Sequence, residues 1–208
     1  MAEIILDFGS GNTCKNNIKY VERMIDELKA IDTGKHEVII NWQLFEEAPP
    51  NERLMWAVFD HAYDYAAKLG YKTTASVSSL ESLNFLLQHD IPFVKIANRP
   101  ELYRLAGEVP RKIPVYISGD MTFYSNFKWE NGDIPLKCIS EYPATPQMYE
   151  DEFGASLFCG RVSDHTTDFT LWNKYNLVTV EWHYKLADST GLDAGDFART
   201  PEQLKEVL

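Results

Sequence analysis

Two histidines in the last quarter of the sequence are the residues best suited to metal chemistry. His165 and His183 each follow a short apolar run that has the length and composition of a buried β-strand. If those strands are neighbours, the two imidazoles meet at one edge of the sheet, where they can bind a divalent ion such as manganese, iron, cobalt or zinc. Two polar side chains that only hydrogen-bond their neighbours would fit the same spacing, which leaves both interpretations open.

Acidic residues stand beside both histidines. Asp164 directly precedes His165, and Glu181 lies two residues before His183. Carboxylates near metal-binding imidazoles commonly fix the orientation of the rings. We therefore interpret Asp164 and Glu181 as candidates for orienting the two histidines. The other histidines lie in or beside predicted helices, and we expect them at the surface: His36, His61 and His89.

Lys95 stands in the run Phe93-Val94-Lys95-Ile96, which is otherwise apolar and typical of an inner strand. Burying a lysine there is costly unless its charge meets a partner. That partner is either an anionic ligand, such as a phosphate or carboxylate, or an internal carboxylate such as Asp7, which ends the first strand. Arg99 offers a second cation nearby, although a solvated loop arginine is the simpler interpretation. Asp7 also suits a base or a support for the metal.

Short apolar runs alternate with helical patterns along nearly the whole sequence. Strands joined by helical crossovers run parallel, so the pattern predicts a parallel sheet. The eight predicted strands cover residues 4–6, 38–40, 73–76, 93–96, 114–117, 136–139, 156–159 and 178–181. Helical patterns cover 18–28, 53–69, 79–87 and 102–105, and Thr200 followed by Pro201 marks the start of a last helix.

This alternation predicts a compact (β/α)8 TIM barrel, as a single domain over residues 1–208. Closing the sheet removes its unpaired edges. The rival, a doubly wound open sheet, would carry a glycine-rich phosphate loop after its first strand, and the sequence has none there. Residues 119–132 lack helical periodicity and crowd four aromatic side chains. We expect a shortened or missing crossover helix there, with a small hairpin as the alternative, and the aromatic residues as a hydrophobic plug or a substrate cover.

In such a barrel, the residues that carry out chemistry stand at the C-terminal ends of the strands. The predicted strands place the two histidines at this mouth with a set of other polar residues: Asp7, Asn41, Gln43, Ser76, Lys95, Asn98, Ser118, Asp120, Ser140, Tyr142, Ser163, Asp164 and Glu181. We take these positions as the candidates for substrate contact.

Composition narrows the classes of function. A net charge of -11 argues against a general surface for nucleic acid or anionic membranes, and no apolar run is long enough to span a bilayer. Three cysteines without metal-site spacing fit buried thiols in a reducing compartment. The start of the sequence lacks the pattern of a signal peptide, so we expect a cytoplasmic protein.

Several segments resemble the N-acetylneuraminate synthase family, the sialic acid synthases. They occur in the family's order and on the expected strands, and together they extend over nearly the whole sequence: Ile91–Ala97, Cys138–Pro146, Ser163–Thr166, Glu181–His183, Gly191–Asp193 and Thr200–Leu204. The resemblance implies a TIM barrel that condenses phosphoenolpyruvate with the open-chain aldehyde of N-acetylmannosamine or a related sugar. It also implies a divalent ion, manganese first and magnesium, cobalt, iron or zinc as alternatives, that polarises the aldehyde oxygen.

The resemblance also implies roles for individual residues. His165 and His183 would bind the metal, and Lys95 and Ser163 would contact phosphoenolpyruvate. The substrate pocket would be lined by Gln43, Tyr142 and Asp193. Further candidates for substrate contact are Ser76, Asn98, Arg99 and Ser140. The residues that we expect to act in catalysis are Asp7, Lys95 and Tyr142.

The sequence departs from the family pattern at several of these positions. Asp7 replaces a glutamate, Asn41 replaces the lysine of a Lys-x-Gln motif, and Ser140 replaces an asparagine. Residues 97–100 replace Gly-Ser-Gly-Glu, so the glutamate is lost unless Glu101 takes its place. Arg99 is the candidate to replace the cation that is lost at Asn41.

The resemblance ends where the family continues into an antifreeze-like domain. We therefore expect a barrel without that domain and without the arginine that it contributes to the sugar site. Two alternatives to the synthase reaction stay open: a catalytically impaired homologue that binds a metal or ligand, and another metal-dependent reaction on a small sugar. Family dimers exchange the domain, so a homo-oligomer also stays open.

Overall fold

The protein folds into a closed barrel of parallel strands, seen in a computed structural model that describes residues 1–47, 49–130 and 132–208. Eight strands pair in chain order, and the last pairs with the first. They are β1 (Glu3–Asp7), β2 (Glu37–Leu44), β3 (Lys72–Val77), β4 (Val94–Ile96), β5 (Val115–Gly119), β6 (Asp133–Cys138), β7 (Arg161–Ser163) and β8 (Thr179–His183). The predicted (β/α)8 TIM barrel is confirmed.

Helices pack around the outside of the barrel. They are α1 (Ile18–Ile31), α2 (Trp56–Lys68), α3 (Leu80–Leu86), α4 (Met121–Asn126), α5 (Pro146–Phe153), α6 (Thr170–Tyr175) and α7 (Pro201–Leu204), with short 3₁₀-helices at Pro100–Glu108, Gly154–Leu157 and Leu192–Ala194. The predicted start of the last helix is confirmed, since the Thr200 and Gln203 side chains cap each other's backbone N–H groups. No helix in the described ranges has the length and apolar character needed to cross a bilayer.

The interior of the barrel has an apolar layer and a polar layer. Ile5, Ile39, Phe93, Tyr116 and Leu136 form a buried cluster of their own inside the strands. Side chains alternate between the two faces of a strand, so the residues two positions further along also point inward. These are polar or carry a thiol: Asp7, Asn41, Lys95, Ser118 and Cys138. The first layer therefore forms a floor, and the second layer lines the mouth.

The predicted seventh strand, residues 156–159, is wrong. Gly154–Leu157 forms a 3₁₀-helix instead, and Cys159 has a left-handed backbone with φ of 49°. A left-handed residue turns the chain and cannot continue a strand. The seventh strand, β7, begins at Arg161, two residues after Cys159. His165 follows the last residue of this strand, Ser163, by two positions.

The expected shortening of the helix after the fifth strand is confirmed. Helix α4 has six residues, and the alternative hairpin is wrong because these residues are helical. Phe123 packs against Phe127 and Trp129, with ring centroids 4.7 Å and 5.6 Å apart, and against Tyr103 at 4.0 Å. This aromatic cluster belongs to the main hydrophobic core, which agrees with the plug rather than the cover.

Candidate active site

The register of the barrel places the predicted site residues of neighbouring strands side by side. Asp7 lies opposite His183, Ser76 opposite Lys95, and Ser163 opposite Glu181. Each of these side chains belongs to a residue that is less than a tenth exposed. The mouth is thus a buried polar layer, where unpaired charges are costly and hydrogen bonds are strong.

Lys95 meets its charge partner inside the protein. Its Nζ lies 2.9 Å from Oε2 of Glu181, and both side chains are almost fully buried. The expectation that Asp7 is the internal partner of Lys95 is therefore wrong, since the partner is Glu181. Burial alone would raise the pKa of Glu181, but the charge of Lys95 and its contact with the carboxylate hold that pKa below its ordinary value. Glu181 is thus a carboxylate that compensates the lysine.

His165 is held in the form that binds metals. Its Nδ1 lies 2.7 Å from the carbonyl oxygen of Ile139, which can only accept, so Nδ1 carries the proton and Nε2 keeps its lone pair. Burial, with a smaller contribution from His183, lowers the pKa of His165 to about 3. The imidazole is therefore neutral at physiological pH, as a metal ligand must be.

His183 carries a buried nitrogen without a hydrogen bond. Its Nδ1 has no partner among the described residues and lies 3.6 Å from Oδ1 of Asp193. The His165 and His183 rings have centroids 5.4 Å apart and planes at 58°. Tyr142 packs on His165 with centroids 4.2 Å apart and planes tilted by 31°, and Phe197 stands edge-on to His183 at 4.9 Å. Since the Tyr142 residue is 53% exposed, it forms the outer wall of the mouth.

The two imidazoles fit a shared divalent ion. One has its ligand tautomer fixed, the other has an orphaned buried nitrogen, and a centroid separation of 5.4 Å is compatible with metal–nitrogen distances of about 2.1 Å. Within the described ranges no group of three or more His, Cys, Asp or Glu residues is arranged around a metal position. The protein would thus supply the two histidines and leave the other coordination positions to water or substrate.

Gln43 joins two carboxylates next to the histidines. Its Nε2 donates to Oδ2 of Asp7 at 3.0 Å and to Oδ1 of Asp193 at 2.9 Å. Burial raises the pKa of Asp7 to about 6, although His183 opposes the shift. Three predicted site residues from β1, β2 and the loop after β8 therefore form one hydrogen-bonded group.

The remaining predicted residues lie around this centre or on its rim. Asn41 donates to Oγ of Ser76 at 3.0 Å and leaves its own Oδ1 unpaired. Asn98 donates to Oγ of Ser140 at 2.9 Å. Arg99 is different, because its guanidinium pairs with Glu101 at 2.7 Å on the exposed side of the loop. The structure thus does not bring Arg99 into the place of the lost cation.

The prediction that Asp164 and Glu181 orient the histidine rings needs correction. Asp164 accepts from Nε1 of Trp182 at 2.9 Å and from the backbone N–H of Thr166, and Glu181 binds Lys95. The Asp164 carboxylate therefore links the loop after β7 to β8, and the Glu181 carboxylate links β8 to β4. In the part of the chain that the structure describes, neither carboxylate is hydrogen-bonded to a histidine ring.

Two residues that support the site were not predicted. The hydroxyl of Tyr149 donates to the carbonyl of Ser163 and accepts from the N–H of His165. Arg199 is fully buried and binds the loop that follows His165. Neither residue ends a strand, so the rule that found the other candidates passes over both. An arginine between Ala198 and the cap of a helix gives no sequence signal that it is buried.

Comparison with known proteins gives matches in structure. No protein-family model matches the sequence, and no curated protein does either. The fold matches the N-acetylneuraminic acid (sialic acid) synthetase of Leptospira borgpetersenii with a TM-score of 0.75 and 21% identity, over 98% of this chain and 80% of that one.

Two further structures have the same architecture. The spore coat polysaccharide biosynthesis protein SpsE of Bacillus subtilis matches with a TM-score of 0.74 and 16% identity, over 99% of this chain and 65% of that one. The phospho-2-dehydro-3-deoxyheptonate aldolase (DAHP synthase) of Thermotoga maritima matches with a TM-score of 0.66 and 11% identity, over 99% of this chain and 66% of that one. The resemblance seen in the sequence is confirmed at the level of the fold.

Proposed function

We propose that the protein is a metal-assisted synthase that condenses phosphoenolpyruvate with a sugar aldehyde, such as N-acetylmannosamine, to a sialic-acid-type 2-keto sugar acid. The observation that carries the proposal is the pair of buried imidazoles, one of them fixed in its ligand tautomer, at the mouth of this barrel. A divalent ion on His165 and His183, manganese by preference, would supply polarisation of the aldehyde oxygen.

The chain's own residues have separate tasks in this reaction. Carbon 3 of phosphoenolpyruvate attacks the aldehyde carbon, water adds to carbon 2, and phosphate leaves by C–O cleavage. Asp7, which lies opposite His183 in the mouth, would take the proton from that water. Lys95 and Ser163 would hold the phosphoenolpyruvate, and the exposed face of Tyr142 would pack on the sugar. Gln43 and Asp193 would bind its hydroxyls, with Ser76, Asn98 and Ser140 further out.

The test is release of inorganic phosphate from phosphoenolpyruvate in the presence of manganese and a panel of N-acetylated and plain aldoses. We expect release that depends on the sugar and is lost in His183→Ala. His89→Ala is the matched control, because that histidine binds Asp60 on the outside of the barrel. Manganese binding without phosphate release on any sugar would reject the synthase reaction.

One observation favours a second candidate, a metal-dependent site for a neutral, hydroxyl-rich sugar without phosphoenolpyruvate. The described part of the mouth contains three carboxylates, those of Asp7, Glu181 and Asp193, and one lysine, Lys95, whose charge Glu181 already meets. The buried acceptor atoms Oδ1 of Asn41 and Oε1 of Glu181 have no donor there. Acceptors suit hydroxyl groups better than a phosphate.

Asn41→Lys separates the two candidates. The substitution puts a cation where the resemblance expects one, and a charged hydrogen bond is worth about 1.5–3 kcal/mol, so it should tighten phosphoenolpyruvate binding by roughly tenfold or more. Calorimetry of wild type, Asn41→Lys and Asn41→Gln measures this, the glutamine being a neutral control. If the wild type already binds phosphoenolpyruvate strongly and the lysine does not tighten that binding, the second candidate is contradicted.

A further inference from the structure

Arg199 is a fully buried arginine next to the two histidine segments. Its Nη1 donates to the carbonyl oxygens of Thr166 at 2.7 Å and Phe197 at 3.0 Å, and its Nη2 donates to the carbonyl of Asp168 at 2.6 Å. The carboxylate of Asp164 lies 3.9 Å from Nη2. Both Nη groups of this buried guanidinium are hydrogen-bonded and its charge is met by Asp164, whereas its Nε has no hydrogen-bond partner among the described residues.

The same residue contacts both histidine-bearing segments. The backbone N–H of Arg199 donates to the carbonyl of His183 at 2.7 Å. Its side chain binds the carbonyl of Thr166, the residue after His165. Arg199 therefore ties the end of β8 to the loop after β7. The indole of Trp182 makes a parallel link to Asp164, which precedes His165.

The His183 ring is positioned by its backbone and by aromatic neighbours such as Phe197. Its Nδ1 lacks a hydrogen bond among the described residues and lies 3.6 Å from Oδ1 of Asp193, so no hydrogen bond at that atom fixes the ring. The backbone of His183 is held by its pairing with β1 and by Arg199. Replacing the Arg199 side chain keeps this backbone bond to His183 but removes the link from residue 199 to the loop after His165, so the two histidine segments would lose a shared support.

We propose that Arg199 is a positioning residue that sets the geometry of the two histidines and, through it, the affinity for a divalent ion. The inference rests on the proposed metal site. Loss of a residue that supports metal ligands typically weakens affinity about 10- to 100-fold. Arg199→Met should show a loss of that size. Arg199→Lys should lie between Met and wild type, because an ammonium keeps the charge but cannot span three carbonyls in a planar fork.

The experiment titrates Co²⁺ and Mn²⁺ against a chromophoric chelator and records the visible spectrum of the Co²⁺ protein, with circular dichroism to confirm folding. Leu105→Ala is the matched control, because Leu105 is fully buried in the 3₁₀-helix after β4, four strands away from β8. It should lower the melting temperature and leave the affinity and the spectrum unchanged. If Arg199→Met does not fold, Arg199→Lys carries the same comparison.

The outcomes separate this inference from the function on which it rests. Weakened binding and a changed Co²⁺ spectrum in the Arg199 variants, with neither in Leu105→Ala, would support it. Wild-type affinity and spectrum in the Arg199 variants, with only a loss of thermal stability, would overturn it and leave the metal site standing. A wild-type protein that binds neither ion would reject the metal site and this inference together.

Discussion

Burial sets the protonation of the residues at the mouth. It keeps His165 neutral and raises the pKa of Asp7 to about 6, because a buried site disfavours whichever form is charged. Glu181 departs from this trend because Lys95 supplies the opposite charge at 2.9 Å. The mouth therefore combines the neutral imidazole of His165, the ionised carboxylate of Glu181 and an Asp7 carboxyl with a raised pKa within one buried layer.

Replacing Lys95 tests the buried ion pair. Lys95→Met leaves Glu181 buried without its partner, and breaking such a pair typically costs about 3–5 kcal/mol of unfolding free energy. Urea denaturation at pH 7 measures the loss. The double variant Lys95→Met/Glu181→Gln should recover much of it, because no uncompensated charge remains. Equal losses in the single and double variants would contradict an ion pair that governs stability here.

Replacing Asp7 tests its raised pKa in the metal-free protein. The folded state holds the Asp7 proton up to about pH 6 and the unfolded chain only to about 3.8, so the wild type loses stability as the pH rises through that window. Asp7→Asn removes this loss. Its advantage over the wild type should grow from pH 4 to pH 7 and reach at most about 3 kcal/mol. A difference that stays constant over that range would show that Asp7 titrates normally.

At the scale of elements, the positions of strands were easier to predict than the paths between them. Alternating apolar runs located seven of the strands, because burial inside the barrel requires apolar residues whatever the connections do. Helices α5 and α6 were missed, since each is short and buries only two side chains: Tyr149 and Phe153, and Leu171 and Tyr175. The error at the seventh strand came from the left-handed Cys159, a conformation that its residue type does not announce.

For the candidate site, too, the sequence predicted which residues end the strands but not which side chains contact one another. The rule of strand ends brought Asp7, Lys95, His165 and His183 to one mouth from the sequence. It could not find that Lys95 reaches Glu181 rather than Asp7, because that choice depends on distances across the closed barrel. Nor could it find Arg199, because its role depends on how the segment after β8 folds back against the end of that strand.

The aromatic cluster after β5 gives a prediction about one element. Phe123→Ala should lower the unfolding free energy by about 3–5 kcal/mol, the usual cost of removing a buried phenylalanine, because the ring packs against Tyr103, Phe127 and Trp129. Thermal and urea unfolding measure the effect, with the more exposed Met121→Ala as the control. Weaker binding of a sugar without a loss of stability would instead identify the cluster as a substrate cover.

At the scale of the whole molecule, metal binding should appear as stability. An ion bound by the folded state alone, at one hundred times its dissociation constant, adds about 2.7 kcal/mol to the unfolding free energy. We expect manganese to raise the melting temperature and a chelator to reverse the rise. In His165→Ala the metal-free protein should still fold, and the rise should be lost. A rise that survives in this variant would place the ion elsewhere.

The apolar floor beneath the polar layer makes the barrel a cup with one opening. Ile5, Ile39, Phe93, Tyr116 and Leu136 fill the N-terminal end of the barrel, so a ligand of the polar layer would have to reach it from the opposite end, where Tyr142 and Asp193 lie. Two substrates that share one opening must bind in order. The substrate that lies deeper binds first, and its product leaves last. If the protein catalyses a two-substrate reaction, its kinetics should therefore show ordered binding, with the product that leaves last acting as a competitor of the substrate that binds first.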